Sequence, residues 1–243
     1  MAKSTRAKKK YLDFKGRMVI LGCGSITQGV LPLILRHIGI KPKQITIIAA
    51  ESRGGLPEVE RYGIEFIEKR LTRSNYRAML APRLAKGDFL VNLSVEVSST
   101  ALVELCREQG ALYLDTCIEP WPGGYTDPNL SVSHRSNYAL RESMLKLRRK
   151  YRGRGPTAVV AHGANPGLVS HFVKQALLNV ARDTGVRAAV PTTQQGWAKL
   201  AQRLGVKVIH IAERDTQVSS RPKEVGEFVN TWSIDGFVSE GSQ

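Results

Sequence analysis

The sequence predicts an α/β protein in which a doubly wound parallel sheet is followed by the start of a truncated, incomplete α+β second domain. Short apolar runs alternate with helical segments along much of the 243-residue chain, and this alternation is typical of a parallel sheet. A glycine-rich turn also follows the first apolar run directly. We expect a basic flexible tail over residues 1–14, the sheet domain over 15–162 and the beginning of the second domain over 163–243.

Each predicted strand is a short apolar run. The runs span residues 17–21, 45–50, 64–67, 89–93, 111–115 and 157–161. Helices are expected after the glycine turn and at 75–84, 99–109 and 134–151. The helix at 99–109 has the clearest signals, because Ser98 or Ser99 can cap its first turn and Gly110 follows it as a C-terminal stop.

The pattern changes after the strand at 157–161. The segment HGANPG leads into an amphipathic helix with an apolar face, formed by Leu168, Val169, Phe172, Val173, Ala176, Leu177 and Val180. Beyond this helix, one clear strand at 206–212 and a mixed apolar segment at 228–238 are predicted. These elements are too few to close a second domain.

Charge and cysteine content limit the function classes. The formal net charge is +15, and Lys and Arg cluster in the tail and in a run at 146–154, which raises nucleic-acid binding as a candidate. The run lies at a predicted helix end, where cations complement the helix dipole, so we expect no nucleic-acid partner. Three cysteines without ligand spacing predict neither disulfides nor a metal site. Without a long apolar stretch, a cytoplasmic protein with no membrane partner is expected.

Gly22 and Gly24 form a Gly-x-Gly turn between the first strand and the next helix. Such a turn brings the first backbone N–H groups of the helix, here those of Ser25 and Ile26, against a pyrophosphate. Glu51 ends the second strand, where a carboxylate accepts hydrogen bonds from the adenosine ribose and favours NAD over NADP. The turn and the carboxylate together predict a Rossmann-type NAD-binding domain.

Two residues depart from this pattern. Thr27 stands where Gly or Ala usually allows close helix packing, and Arg53 is near enough to Glu51 to weaken the preference for NAD. The alternatives are an ordinary strand-to-helix turn and a solvated strand end. Because both features occur in the right order, cofactor binding is the favoured interpretation.

Two loops after later strands are predicted to rim the ligand crevice of the sheet. The first offers Asn92 and Ser94 to the cofactor and Glu96 to the substrate, and the second offers Glu119 and Trp121. Carboxylates suit a cationic substrate. Either glutamate can instead be a solvent-facing loop residue or a helix-capping acid, and position alone does not separate these readings.

Six long motifs occur in order along the chain: GCGSITQGVLPLILRH, VNLSVEVSS, DTCIEPWPGGY, HGANPGLVSHFVKQAL, AERDTQ and NTWSIDGF. Together they closely resemble the bacterial homospermidine synthases, whose fold is similar to that of the saccharopine dehydrogenases, over nearly the whole chain after Phe14. The resemblance implies a transferase that joins two putrescine molecules, releases ammonia and uses NAD as a recycled hydride carrier. It also implies a homodimer that accepts putrescine or related diamines.

The resemblance further implies roles for individual residues. Trp232 matches the tryptophan whose ring holds the cationic intermediate, Glu213 matches a carboxylate facing the amine, and Glu119 and Glu240 match further active-site acids. Asn165 matches the asparagine of the HGxNPG segment, which positions the amine. Taken alone, a tryptophan is more often a core residue, and an asparagine before proline is a natural helix N-cap.

Members of that family are roughly twice as long, so the resemblance implies an N-terminal half with little or no synthase activity by itself. Residues 163–243 would then begin a substrate and dimerisation domain. Three alternatives stay open at this point. They are a saccharopine dehydrogenase-like or carboxy-polyamine reductase that consumes NAD(P)H, a degenerate nucleotide fold that binds nucleic acid, and an inactive gene fragment.

Overall fold

The computed structural model describes residues 9–51, 56–214, 216, 218 and 220–242. The chain divides into two compact units, the first made of Met1–Val160 with Phe228–Gln243 and the second of Ala161–Glu227. The first stretch of the first unit ends two residues before the predicted boundary at 162. The expectation of one continuous region over 163–243 is corrected, because residues from 228 onward pack with the first unit.

Strands and helices alternate as predicted in the first unit. The described strands are β1 (Leu12–Asp13), β2 (Met18–Leu21), β3 (Ile38–Gly39), β4 (Ile45–Ala49), β5 (Glu65–Glu68), β6 (Phe89–Asn92), β7 (Leu112–Asp115) and β8 (Ala158–Val159). The described helices are α1 (Ser25–His37), α2 (Leu56–Tyr62), α3 (Tyr76–Leu80), α4 (Ser99–Gln109), α5 (Asn137–Lys150), α6 (Leu168–Asp183), α7 (Gln194–Arg203) and α8 (Ile234–Gly241).

Six of these strands form one parallel sheet in the order β5-β4-β2-β6-β7-β8. Going outward from β2, the strands on one side are β4 and β5 and those on the other side are β6, β7 and β8. This order confirms the doubly wound Rossmann-type fold and places its switch point between β2 and β6. All four residues of β2 are buried, because helices cover both faces of a central parallel strand. Val19 and Leu21 point into one apolar cluster and Met18 and Ile20 into the other, as the alternation along a strand requires.

Local signals set the ends of several helices. α4 spans the predicted residues: the Ser98 hydroxyl accepts the Ala101 N–H, and Gly110 adopts the left-handed conformation at φ 74°. α3 is shorter than predicted and continues as a 3-10 turn over Ala81–Arg83, because Pro82 has no N–H to continue an α-helix.

The end of the predicted tail is ordered and corrects the expectation of flexibility over residues 1–14. β1 pairs in parallel with β3, and the Tyr11 N–H donates to His37 O at 2.8 Å while the Phe14 N–H donates to Gly39 O at 2.9 Å. This two-stranded pairing anchors residues 11–14 beside α1. Residues 1–8 of the tail lie outside the described part.

The second unit is helical. α6 and α7 pack around Leu177, Ala181 and Leu200. The strand predicted at 206–212 is not formed, and Val208 is 65% exposed. A strand needs a neighbour to satisfy its N–H and C=O groups, and none pairs with this segment among the described residues. The predicted apolar face of α6 is only partly covered, since Phe172 is 62% exposed.

Candidate functional site

Three central strands of the sheet, β2, β6 and β7, end on one rung, and β4 ends one residue beyond it. Ile48 pairs with Leu21, Leu21 with Asn92, and Asn92 with Asp115. Because all four strands are parallel, the segments that follow them leave the same edge of the sheet. Most residues predicted for the site lie in these segments.

The Gly-x-Gly turn follows β2, and its two glycines have different surroundings. Gly22 has φ 92°, and a Cβ atom there would lie 2.6 Å from Leu93 O. Its N–H donates to Ile48 O at 2.9 Å. Gly24 has φ −88°, and a Cβ atom there would meet nothing within 4 Å. Position 22 therefore needs glycine for the chain to fold into this turn, whereas a side chain at position 24 would enter open space.

The open space at Gly24 lies at the N-terminus of α1. Gly24 is the N-cap and has no side chain that could cap the helix. Ser25 and Ile26 are the first two residues of α1. The first N–H groups of a helix have no partner within it and carry its positive dipole end. This arrangement suits the phosphates of a dinucleotide.

Thr27 is accommodated without loss of the turn. Its side chain is buried, and its hydroxyl donates to Gly22 O at 2.8 Å. This hydrogen bond satisfies a buried hydroxyl and ties α1 to the first glycine. The departure from Gly or Ala at this position is therefore compatible with a tight strand-to-helix connection.

The other predicted cofactor residues occupy the neighbouring strand ends. Glu51 lies exposed two residues after β4, and Arg53 lies outside the described residues. Asn92 is buried; its Nδ2 donates to Val97 O and to the Tyr113 hydroxyl, both at 3.4 Å, and its Oδ1 accepts the Ser94 hydroxyl at 2.6 Å. Within the protein, the Asn92 side chain shapes the loop after β6.

Glu119 is a buried carboxyl with a raised pKa. It is only 6% exposed, its Oε2 accepts the Glu96 N–H at 3.1 Å, and its own N–H donates to the Ser99 hydroxyl at 2.9 Å. Burial raises the pKa of Glu119 to about 7, although hydrogen bonds from Glu96 and Tyr125 act in the opposite direction. A carboxyl that titrates near neutral pH is suited to general acid–base work.

Further acidic and phenolic groups surround Glu119. Asp115 is fully buried and accepts the Tyr113 hydroxyl at 2.8 Å. Burial and the Glu119 charge raise the pKa of Cys117 to about 12, so this thiol stays protonated. Glu96 adopts φ 60°, and its carboxylate lies 3.9 Å from the Arg70 guanidinium.

The predicted substrate residue Trp121 packs into the fold. Its ring meets the Tyr76 ring edge-on with 5.4 Å between centroids, and it borders the apolar cluster that contains Leu102 and Tyr113. Its role in substrate binding stays a prediction. The residues missed by the sequence interpretation are Asp115, Ser99 and Tyr125. The motif DTCIEPWPGGY, which contains Asp115 and Tyr125, was the available signal.

Trp232 and Glu240 belong to the first unit and lie at the two ends of α8. The Trp232 side chain is 47% exposed, and its ring centroid is 6.0 Å from that of Phe237. The Glu240 carboxylate accepts a hydrogen bond from Asn137 Nδ2 at 3.1 Å, and its charge contributes to raising the pKa of Cys117. The charges of Glu240 and Glu119 thus both raise the pKa of Cys117. Because its side chain is about half exposed, Trp232 is not a core residue.

Asn165 and Glu213 belong to the second unit, and both are exposed. The alternative that Asn165 caps α6 is wrong, because the N-cap of this helix is Gly167. The loop before α6 is closed by the Gly163 N–H donating to Pro166 O at 2.8 Å and the Leu168 N–H donating to Gly163 O at 2.9 Å. This loop presents Asn165 at the surface of its unit.

The basic run lies at the end of α5 and in the loop after it. Lys150 in the basic run pairs with Glu104 at 3.0 Å, and the last turn of α5 holds Arg148, Arg149 and Lys150, as predicted for a helix end. No helix in the described ranges is both long and apolar enough to cross a membrane. Among those same residues, no three His, Cys, Asp or Glu side chains are grouped to hold a metal ion.

Comparison with known proteins supports the fold and relates the chain to an enzyme family. Residues 18–159 match the family described as saccharopine dehydrogenase NADP binding domain. The homospermidine synthase of Blastochloris viridis is 53% identical to this chain over 237 residues, and that of Mesorhizobium japonicum is 46% identical over 238 residues. Each match covers 96% of this chain and 49% of the relative's length. The chain therefore spans about half the length of these relatives.

A solved structure shows the same relationship. The crystal structure of the homospermidine synthase from Legionella pneumophila in complex with NAD is 45% identical, with a TM-score of 0.80. The match covers 96% of this chain and 47% of that chain.

Proposed function

Because the chain belongs to the saccharopine dehydrogenase NADP binding domain family, we propose that it binds NAD at the Gly22–Gly24 turn and serves homospermidine synthesis from putrescine. The observation that carries this proposal is the presence of two features at the same edge of the sheet, on strands separated by β6. An open helix N-terminus at Gly24 follows β2, and a buried, protonatable Glu119 lies in the segment after β7. The homospermidine synthase relatives support the choice of reaction.

The residues at the turn fit a dinucleotide. Gly24 leaves room for the pyrophosphate, and the N–H groups of Ser25 and Ile26 would bind its oxygens. Glu51 would accept hydrogen bonds from the adenosine ribose, and this carboxylate favours NAD over NADP. When bound, NAD accepts hydride from a substrate carbon and later returns it. The NAD complex of the Legionella pneumophila relative supports this choice of cofactor.

The protein groups that act on a diamine are acids and one aromatic ring. Glu119 would take a proton from an ammonium group, since a neutral amine is needed for attack on carbon. Glu240 would pair with an ammonium group, and the exposed Trp232 ring would attract a cationic intermediate through its π face. Asn165 is proposed to position an amine and Glu213 to face one, as the resemblance to the homospermidine synthases implies.

Two measurements test this proposal. Calorimetric titration of the chain with NAD tests the cofactor site, and failure of the folded chain to bind NAD would overturn it. Incubation of the protein with putrescine and NAD tests the reaction: any homospermidine formed should be matched by an equal amount of ammonia, with no net change in NADH. Net consumption of NAD(P)H would instead identify a reductase.

A further inference from the structure

We propose that Ser99 is a positioning residue for Glu119: it holds the backbone of the segment after β7 so that the Glu119 carboxyl meets the Glu96 N–H. The inference deepens the proposed function, on which it rests for the part that Glu119 takes in proton exchange with the substrate. The hydrogen bonds that carry it lie within the protein, so they can be tested without any substrate.

Three hydrogen bonds join Ser99 to the segment after β7. The Ser99 N–H donates to Glu119 O at 2.9 Å, and the Ser99 hydroxyl oxygen accepts the Glu119 N–H at 2.9 Å. The same hydroxyl donates to Cys117 O at 3.4 Å. Because the first two bonds run in opposite directions between the same two residues, they fix the Glu119 backbone at both its N–H and its C=O. Ser99 is fully buried, so water is excluded as a substitute partner.

The place of Ser99 in the fold makes it a rigid attachment point. Ser99 is the first residue of α4, and the first N–H groups of a helix have no acceptor within it. Here Glu119 O supplies that acceptor. Three residues along the helix, Leu102 is fully buried in the apolar cluster that also contains Leu21 of β2. The packing of α4 on the sheet therefore holds Ser99 in place.

The loop that leads into α4 reaches the other end of Glu119. The Glu96 N–H donates to Glu119 Oε2 at 3.1 Å. Glu96 adopts φ 60°, a left-handed conformation that is unfavourable for residues other than glycine. Glu96 and Ser99 are three residues apart and contact the carboxyl and the backbone of Glu119, respectively. Without the Ser99 hydroxyl, the Glu119 backbone is free to move away from the Glu96 N–H.

The neighbouring Ser98 separates positioning from stability. Its hydroxyl accepts the Ala101 N–H at 3.4 Å and caps α4. In the described part of the chain, no hydrogen bond joins Ser98 to Glu119. Ser98→Ala and Ser99→Ala each remove one buried hydroxyl at the start of the same helix, so both should lower the midpoint of urea unfolding. Ser99→Ala alone removes a contact with Glu119.

The surroundings of Glu119 set the direction of the expected change. Burial is the main cause of its raised pKa, and the charges of Asp115 and Glu96 add to it. Among the described residues, no salt bridge joins a cation to Glu119; the Arg70 guanidinium lies near the Glu96 carboxylate instead. A Glu119 side chain released toward water would lose the largest of these effects, so its pKa should fall.

Two NMR measurements on the full chain test Ser99→Ala. The Glu119 amide, which loses its acceptor, should exchange its hydrogen roughly tenfold faster. Carbon-13 titration of the Glu119 carboxyl, with the signal identified by Glu119→Gln, should show the midpoint falling by about one pH unit. The matched control Ser98→Ala should leave both readouts unchanged. Faster amide exchange with an unmoved midpoint would overturn the positioning role, as would an equal shift of the midpoint in Ser98→Ala.

A second variant covers the case in which Ser99→Ala does not fold. Ser99→Cys keeps the shape of the side chain but replaces the hydroxyl oxygen with sulfur, a weaker acceptor. Both readouts should then change in the same direction by a smaller amount, and unchanged readouts would again refute the proposal. In the homospermidine assay, the acidic limb of the pH profile of kcat/KM should move to lower pH in Ser99→Ala. If the NMR midpoint moves while the unmodified chain forms no homospermidine, Ser99 positions Glu119 and the proposed reaction fails.

Discussion

Replacing Gly24 by valine is expected to abolish tight NAD binding while leaving the fold intact. The backbone at Gly24, with φ −88°, is accessible to any L-residue, and a Cβ atom there would meet nothing within 4 Å. The new side chain would occupy the space at the N-terminus of α1 that the pyrophosphate requires. Gly22→Val should behave differently, because φ 92° and the 2.6 Å approach to Leu93 O make any side chain there incompatible with the native turn.

The size of the effect follows from the hydrogen bonds at the helix end. If the valine displaces the phosphate from one charge-assisted hydrogen bond, the binding free energy falls by about 1.5–3 kcal/mol. This loss corresponds to a roughly 10- to 150-fold higher Kd for NAD. The midpoint of urea unfolding should stay close to that of the unmodified chain, whereas Gly22→Val should lower it strongly.

Gly29→Ala supplies the matched control in the same helix. A Cβ atom at Gly29 also meets nothing within 4 Å, and alanine should stabilise α1 by about 1 kcal/mol because of its higher helix propensity. Calorimetric titration with NAD is the assay for all three variants. A Gly24→Val protein that binds NAD as tightly as the unmodified chain would refute the assignment of the turn, as would an equal loss of affinity in Gly29→Ala.

Three further predictions concern stability. Thr27→Val should destabilise the chain by about 1 kcal/mol in urea unfolding, because the buried hydrogen bond to Gly22 O is lost; no change would mean that this bond does not hold the turn. Asp88→Ala should lower the free energy of unfolding by about 2–5 kcal/mol, since Asp88 accepts the Arg17 N–H at 2.7 Å and the Ala85 N–H at 2.9 Å. Its control, Asp13→Ala at the exposed end of β1, should change the free energy of unfolding by less than about 0.5 kcal/mol. The pKa of Glu119 is raised from 4.5 to about 7, so between these pH values the folded protein binds more protons than the unfolded protein. The free energy of unfolding should therefore fall by on the order of 3 kcal/mol as the pH rises through this interval. Glu119→Gln should flatten this fall, and a pH dependence identical to that of the unmodified chain would contradict the assignment of the titration to Glu119.

Features that depend on nearby residues were predicted well from the sequence. α4 is defined by Ser98 before it and Gly110 after it, and both signals act within a few residues of the helix ends. The Gly22–Gly24 turn is equally local, since its apolar strand, glycines and helix are contiguous. The candidate acid Glu119 could be placed at a strand end, but its enclosure depends on contacts with Glu96 and Ser99 from another connection. Burial in turn raises its pKa.

Features that depend on distant partners were missed or wrong. The segment 206–212 has strand-like residues, yet no described strand pairs with it. β1 forms because β3 lies beside it, some twenty-five residues later, and the tail composition contains no sign of this pairing. Tyr125 was overlooked because its burial beside Cys117 depends on the return of a glycine loop, and the motif by itself does not indicate where the loop returns.

The shared rung of the sheet explains why these distant features meet. Leu21, Asn92 and Asp115 are paired residues on β2, β6 and β7, so the cofactor turn starts one residue beyond the rung and Glu119 lies four residues beyond it. The Gly22 backbone packs against Leu93 O, and the loop after β6 then supplies the Glu96 N–H to the Glu119 carboxyl. A register shift of one residue between β2 and β6 would remove the first contact and invert the buried faces of the strand. The same packing that stabilises the sheet therefore fixes the distance between the predicted cofactor turn and the Glu119 carboxyl.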